Sequence, residues 1–287
     1  MKFITFIEDG DTRLGLLDGE GVIDVHRGEP LVPTELRTAR RQGIDLHGVA
    51  GRLLASGVER VPLVAVRLAP VVPQPGKIIC LGLNYYDHAK EGGREKPEYP
   101  WFFFRGESSL IAHGDAGIRP RVSTQFDYEA ELALVIGKRV PRHVRQETAL
   151  AHVFGYACFN DMSVRDYQKR TPQWTIGKNF DGTGAFGPRL VTADELPPGA
   201  AGLRIEGRLN GSVMQQANTT DMIWGVAETI ALLSQLLTLE PGDVIVTGTP
   251  AGVGQARKLP VWMRAGDVYE VEIERIGTLK NPIRDEG

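Results

Sequence analysis

One stretch constrains this chain more than any other: Phe126–Gly137, FDYEAELALVIG. Side chains alternate between the two faces of a β-strand. Asp127, Glu129 and Glu131 then share one face, which continues into Ala133 and Val135, while Tyr128, Ala130, Leu132, Leu134 and Ile136 share the other. A half-buried strand with a polar outer face accounts for the alternation by itself. Two features weigh against it. Three like charges on one face repel unless something neutralises them, and the same face then turns apolar. A divalent cation among the carboxylates resolves both. Further on, Tyr156–Phe159 (YACF) is short and apolar and runs straight into Asn160–Asp161. Asp161 at a strand end, opposite Glu129 and Glu131, suggests a three-carboxylate set, and all-oxygen ligation suits Mg²⁺ or Mn²⁺.

The rest of the composition narrows the partners. A chain of 287 residues accommodates one large domain, or one large and one small. With 42% hydrophobic and 24% charged residues it reads as a soluble globular protein. A formal net charge of −3 gives no electrostatic basis for binding nucleic acid or an anionic membrane. No run approaches the ~18 apolar residues of a membrane span. The apolar patch of MKFITFIEDG is too short for a signal peptide. Cys80 and Cys158 each sit in an apolar, strand-like run and read as buried reduced thiols of a cytoplasmic protein.

Strand signals dominate along the chain. Phe3–Ile7, Arg13–Leu17 and Val22–Val25 are separated by acid–glycine turns, and helical pieces follow over 34–57 with Thr34 as a cap and Gly43 as a break. The prolines of Ala69–Gly76 block regular pairing and mark a boundary between a small domain over 1–70 and a main domain over 77–285. The main domain opens with strand Lys77–Leu81, helix Asn84–Glu91 stopped by Gly92-Gly93, and strand Trp101–Phe104. Ser163 with Asp166 reads as a capping box, and Asn210-Gly211 as the turn of a hairpin. Asp221–Leu237 has helical spacing, and Val268–Ile276 alternates as a last strand. The class is α+β with a dominant β core; the strand–helix alternation of a doubly wound sheet is absent. Gly182–Gly187 (GTGAFG) matches the dinucleotide pattern in letters only, because Pro188 and an extended Arg189–Thr192 follow where a helix should begin.

His88 and Glu91 share a helix face, where a carboxylate holding one imidazole nitrogen leaves the other basic enough to activate water. A surface histidine beside a surface glutamate is the plainer alternative. Arg165 and Gln168, just after Asp161, face one way or form an exposed helical side. His113, His143 and His152 have no partner pattern and read as structural.

The order EAEL, NDMSVRDYQ, WTIGKNF, GDVIVTGTPAGVG, preceded by GLNYYDHAKE at Gly82–Glu91, resembles the fumarylacetoacetate hydrolase family. The likeness runs from about Lys77 to Pro282, and the first ~70 residues resemble the variable N-terminal domain of shorter bacterial members. The resemblance implies a mixed β-sandwich roll, a small N-terminal α/β domain and a homodimer joined through the main domain. It also implies Mg²⁺ (or Mn²⁺) on Glu129, Glu131 and Asp161, with Asp127 outside the ligand set. His88 and Glu91 become a dyad on a lid-like helix, and Lys178 reaches the metal site to stabilise negative charge on a substrate oxygen. Arg165, Gln168, Thr249 and Arg105 contact substrate, Thr249 at its carboxylate. The activity implied is hydrolysis of a carbon–carbon bond in an acylpyruvate-type 2,4-dioxo acid. Oxaloacetate decarboxylation or tautomerisation, and hydration or isomerisation of dienoates in aromatic catabolism, are alternatives. A non-catalytic metal- or ligand-binding protein is an alternative of another class.

Overall fold

A computed structural model describes residues 1–287. Its main sheet has twelve strands, and Ala130–Ile136 lies well inside it, hydrogen-bonded antiparallel to Val153–Asp161 on one side and Val244–Val246 on the other. Ile78–Gly82 and Trp101–Arg105 extend the sheet beyond Val244–Val246. Beyond Val153–Asp161 come Gly184–Thr192 and then Lys2–Glu8, so the N-terminal strands continue the same sheet. A second, five-stranded sheet runs Ser212–Asn218, Arg204–Leu209, Val268–Ile273, Gly277–Asp285, Gly117–Arg119.

Two apolar layers hold the main sheet. Leu132, Leu134, Ile136, Tyr156 and Cys158 join Ile205, Val271, Ile273 and Leu279 of the second sheet, and Ile230 and Leu233 of helix Val226–Leu236, in the larger core. Ala133, Val135, Ala157 and Phe159 face the other way, into a core shared with Leu36, Ala39, Leu46 and Leu53 of helices Leu36–Arg41 and Leu46–Leu54. Every residue of Ala130–Ile136 is therefore buried, apolar faces included, and the polar outer face of a half-buried strand is not there. Burial on both sides is what makes the carboxylates at its start costly unless neutralised.

Several local expectations need correction. The stretch 126–137 is not one strand: Phe126–Asp127 pairs with Ser163–Val164, and the chain then shifts before Ala130. Ser163 forms no capping box; its hydroxyl donates to the Asp161 carbonyl at 2.9 Å, while Asp166 accepts from Ser123 at 2.5 Å. Helix Val226–Leu236 starts five residues later than spacing predicts, because Thr219–Asp221 forms a separate turn capped by Asn218. Helix Tyr86–Glu91 starts after Asn84, whose amide instead clamps Trp224 and Thr247. Thr34 caps nothing, since Glu35 is the residue that enters helix Leu36–Arg41. Strand Gly277–Asp285 follows the predicted last strand after a turn in which Arg275 has φ 64°. GTGAFG leads into strand Gly184–Thr192, not a helix. Asn210 and Gly211 both have positive φ, as a tight hairpin turn requires.

Candidate active site

Antiparallel register builds the centre. Ala130 faces Asn160 and Glu131 faces Phe159, so the start of one strand lies beside the end of the other. The Asp161 N–H donates to the Glu129 carbonyl at 3.0 Å and the Asn160 side chain accepts from the Glu129 N–H at 3.1 Å, which fixes both backbones. As a result Glu129, Glu131 and Asp161, all buried, each bring a carboxylate oxygen within 4.8 Å of the others.

Cations hold two of the three. Lys178, from the single turn Thr175–Lys178, donates to Glu129 at 2.5 Å and to Asp161 at 2.6 Å. Arg165 donates to Glu129 at 2.7 Å, to Asp127 at 2.8 Å and to Gln168 at 3.0 Å. Burial alone would push the Glu129 carboxyl up, but Arg165 and then Lys178 outweigh it and hold it down at about 2. Lys178 shows the mirror case: burial opposes its charge, and Asp161 and Glu129 overcome that and raise it. Glu131 has no cation at salt-bridge distance and accepts only the Gly248 N–H, at 2.6 Å. Burial, then the charges of Asp161 and Glu129, push its carboxyl well above the usual range. A buried carboxylate without a cationic partner, beside two more, fits a divalent cation bound by hard oxygen donors.

The other predicted residues divide. Arg165, Gln168, Lys178 and Thr249 line a cavity of about 570 Å³ together with Glu129, Glu131, His88 and Glu91. His88 Nδ1 lies 2.8 Å from one Glu91 oxygen, and the other accepts the Gly252 N–H at 2.8 Å. The helix bearing His88 and Glu91 is thus tied to the loop after Val244–Val246. Gly92-Gly93 closes that helix: Gly93 has φ 71°, and the Arg94 N–H returns to the Ala89 carbonyl at 2.9 Å. Thr249 donates its hydroxyl to the Ala130 carbonyl at 3.0 Å and accepts from Gln215 at 2.8 Å. Asp127 stands outside the carboxylate set, accepting from Arg165 and from the Gly254 and Gln255 N–H groups at 2.7 and 3.0 Å.

Arg105, expected at the substrate, is not among the residues that line the cavity. It lies behind the cavity, ion-paired to Asp161, with its remaining donors on the Met162 and Thr183 carbonyls at 2.8 and 3.0 Å. WFFFR places it on the inward-facing side of its strand, and the nearest acid takes it up.

Sequence reasoning missed three groups. Gln215 links the Ala130 N–H, Thr249, Pro250 and the Tyr269 hydroxyl, a role legible only once the second sheet packs on the first. Trp174 and Trp101 form one wall with ring centroids 5.1 Å apart, and Trp174 lies so close to Gly82 that a Cβ there would come within 1.9 Å of the indole. Arg94 and Lys169 line the mouth. The run WFFF gives the aromatic signal, but nothing in sequence pairs it with Trp174.

With this geometry in view, the chain can be set beside known proteins. Residues 77–284 match the family described as fumarylacetoacetate (FAA) hydrolase C-terminal. The human mitochondrial oxaloacetate tautomerase FAHD2A is 39% identical over 268 residues, covering 93% of this chain and 85% of its own. A fumarylacetoacetate hydrolase from Exiguobacterium antarcticum is 36% identical with a TM-score of 0.85, both chains covered in full. Maleylpyruvate hydrolase from Sphingobium sp. SYK-6, solved with manganese(II) and pyruvate, is 31% identical with a TM-score of 0.82, again over 100% of each chain. The carboxylate set, the fold and these likenesses agree: the chain belongs to the fumarylacetoacetate hydrolase family.

Proposed function

We propose that this protein is a divalent-metal-dependent hydrolase that cleaves a carbon–carbon bond in an acylpyruvate-type 2,4-dioxo acid. One observation carries the reading: the His88–Glu91 pair lines the same cavity as Glu129 and Glu131, and Asp161 stands within 4.8 Å of those two carboxylates. Mg²⁺ or Mn²⁺ held by Glu129, Glu131 and Asp161 would act as a Lewis acid toward the 2-oxo carboxylate end of the substrate.

The chain's own residues do the rest. A carboxylate only accepts, so Glu91 fixes the proton on Nδ1 of His88 and leaves the Nε2 lone pair for water. His88 takes a proton from that water as its oxygen attacks the distal carbonyl carbon. The bond from this carbon to the pyruvate methylene breaks, and its electron pair passes to the pyruvate fragment, delocalised onto the fragment's own 2-oxo oxygen. Lys178, kept charged by Asp161 and Glu129, faces that oxygen's negative charge. The proton on His88 returns to the methylene carbon, giving pyruvate and a free acid. Gln168 and Thr249 position the substrate carboxylate, Thr249 by exchanging the Ala130 carbonyl for it. Arg165 holds Glu129, and Arg105 holds Asp161.

A second reading, oxaloacetate tautomerisation, is favoured by the 39% identity to a protein of that name and uses the same floor without an attacking water. NMR product analysis of the Mg²⁺-loaded protein on acylpyruvates and oxaloacetate separates the two. Pyruvate plus a free acid from an acylpyruvate is the expected result. Turnover of oxaloacetate alone would move the assignment to tautomerase or decarboxylase, and silence on the whole panel would favour a binding protein.

A further inference from the structure

The strands that carry the carboxylates have a second end, and a separate cavity opens there. Strand Ala130–Ile136 begins beside Glu129 and runs out into Gly137 and Lys138, while Val153–Asp161 starts at Val153 and Phe154 and finishes at Asp161. Gly137, Lys138, Val153 and Phe154 line a cavity of about 420 Å³. Six residues of strand separate Gly137 from Glu131, which puts this cavity roughly 20 Å from the carboxylates. Helices Leu36–Arg41 and Leu46–Leu54 bring Arg40 and His47 to it, so it lies on the seam between the N-terminal segment and the main sheet.

Its ionisable side chains are Arg40, Lys138, His47, Asp45 and Asp194. His47 and Asp194 take each other up at 3.0 Å, whereas neither Arg40 nor Lys138 has a carboxylate at ion-pair distance. Arg40 is half-buried. Its Nε donates to the Gly137 carbonyl at 3.3 Å and its Nη1 to the Ile44 carbonyl at 2.5 Å, which leaves Nη2 without an acceptor. The guanidinium lies 5.0 Å from the centre of the Phe154 ring. Burial pulls it below its usual range, and Asp45, beyond ion-pair distance, offsets only part of that.

We infer that this seam is a second binding site, separate from the active-site cavity, for a small organic anion: a carboxylate held by Arg40 and Lys138 on a compact apolar body seated against Ile44, Leu150 and Val153. A half-buried charge without a counter-ion is costly, and a bound anion offsets that cost. Two carbonyls and the Phe154 ring hold the guanidinium in place before a ligand arrives. Its Nη2 group is left for a charge-assisted bond to a carboxylate. Lys138, at the end of the strand, adds charge toward the same anion. The apolar walls favour a ligand with a hydrocarbon body over an inorganic ion. A molecule lodged there touches the helices and the sheet together, so its binding braces the seam.

Benzoate and benzamide, one ring bearing a carboxylate or an uncharged amide, test this by calorimetry on the whole 287-residue chain. Benzoate should bind about tenfold more tightly than benzamide, equally well with and without Mg²⁺, and should raise the melting temperature. The preference should narrow as salt is raised. Arg40→Gln should lower benzoate affinity about tenfold. That substitution also removes two hydrogen bonds from the seam. Lys138→Gln, at an exposed side chain that bonds to nothing, is therefore the independent check and should lower the affinity about threefold. Lys169→Gln, at the active-site cavity, should leave benzoate binding as it is. Absence of benzoate binding, equal binding of benzamide, an affinity that Lys138→Gln leaves unchanged, or one that requires Mg²⁺ or Lys169 overturns the inference.

Discussion

The floor and the mouth of the cavity are built on opposite terms. At the floor, Asp127, Glu129 and Asp161 meet Arg105, Arg165 and Lys178 in a buried network whose members hold one another. At the mouth, Arg94 and Lys169 are exposed and without an ion pair, and Arg94 lies over the 41%-exposed Trp101. Buried ion pairs are strongly sensitive to loss of one partner, whereas exposed charges contribute about 0–1 kcal/mol. In the proposed reading, then, the floor fixes the chemistry, and the mouth contributes little to holding the fold.

Four substitutions press on that contrast. His88→Ala should lower turnover by about 10²- to 10⁴-fold while calorimetry shows Mg²⁺ still bound; unchanged turnover would remove the dyad from the mechanism. Arg165→Gln strands Asp127 and Glu129 without their shared cation, and chemical denaturation should register a loss of about 3–5 kcal/mol. A loss near that of a surface pair would mean the floor is not interlocked. Glu131→Gln should have effects of opposite sign on two readouts. Mg²⁺ binding disappears in calorimetry at concentrations that saturate the parent, and the metal-free variant melts higher, because an unpaired buried carboxylate has gone. Retained affinity would show that the ligand set is wrong. Gly82→Ala drives Trp174 off its seat and should cost about 1–3 kcal/mol by overpacking, with ligand affinity changed more than metal affinity. Equal changes would erase the distinction between wall and floor.

How much of this was legible beforehand follows from range along the chain. Glu129 and Glu131 are two residues apart and His88 and Glu91 three apart, so local periodicity alone put each pair together. Asp161 was reachable because its apolar strand ends at it. The family motifs supplied Lys178, Arg165, Gln168 and Thr249, all of which line the cavity. Arg105 came from the resemblance too, and its ion pair with Asp161, 56 residues away, lies beyond the reach of local spacing. Gln215 and the Arg94–Trp101–Trp174 series depend on which distant segments meet, and no spacing rule carries that. Strand Gly277–Asp285 was missed for a local reason. Its turn uses Arg275 at positive φ, where glycine or asparagine would have announced it.

The seat of Trp174 on Gly82 has a consequence for how this protein can vary. Every amino acid that a single base change can put in place of glycine carries a Cβ, and at Gly82 a Cβ would come within 1.9 Å of the indole. Arg94 and Lys169 sit at the surface, where side chains are exchanged at small cost to folding. Drift is therefore channelled: heredity can rewrite the rim one codon at a time, while the strand backbone under the wall admits almost no spelling but the present one.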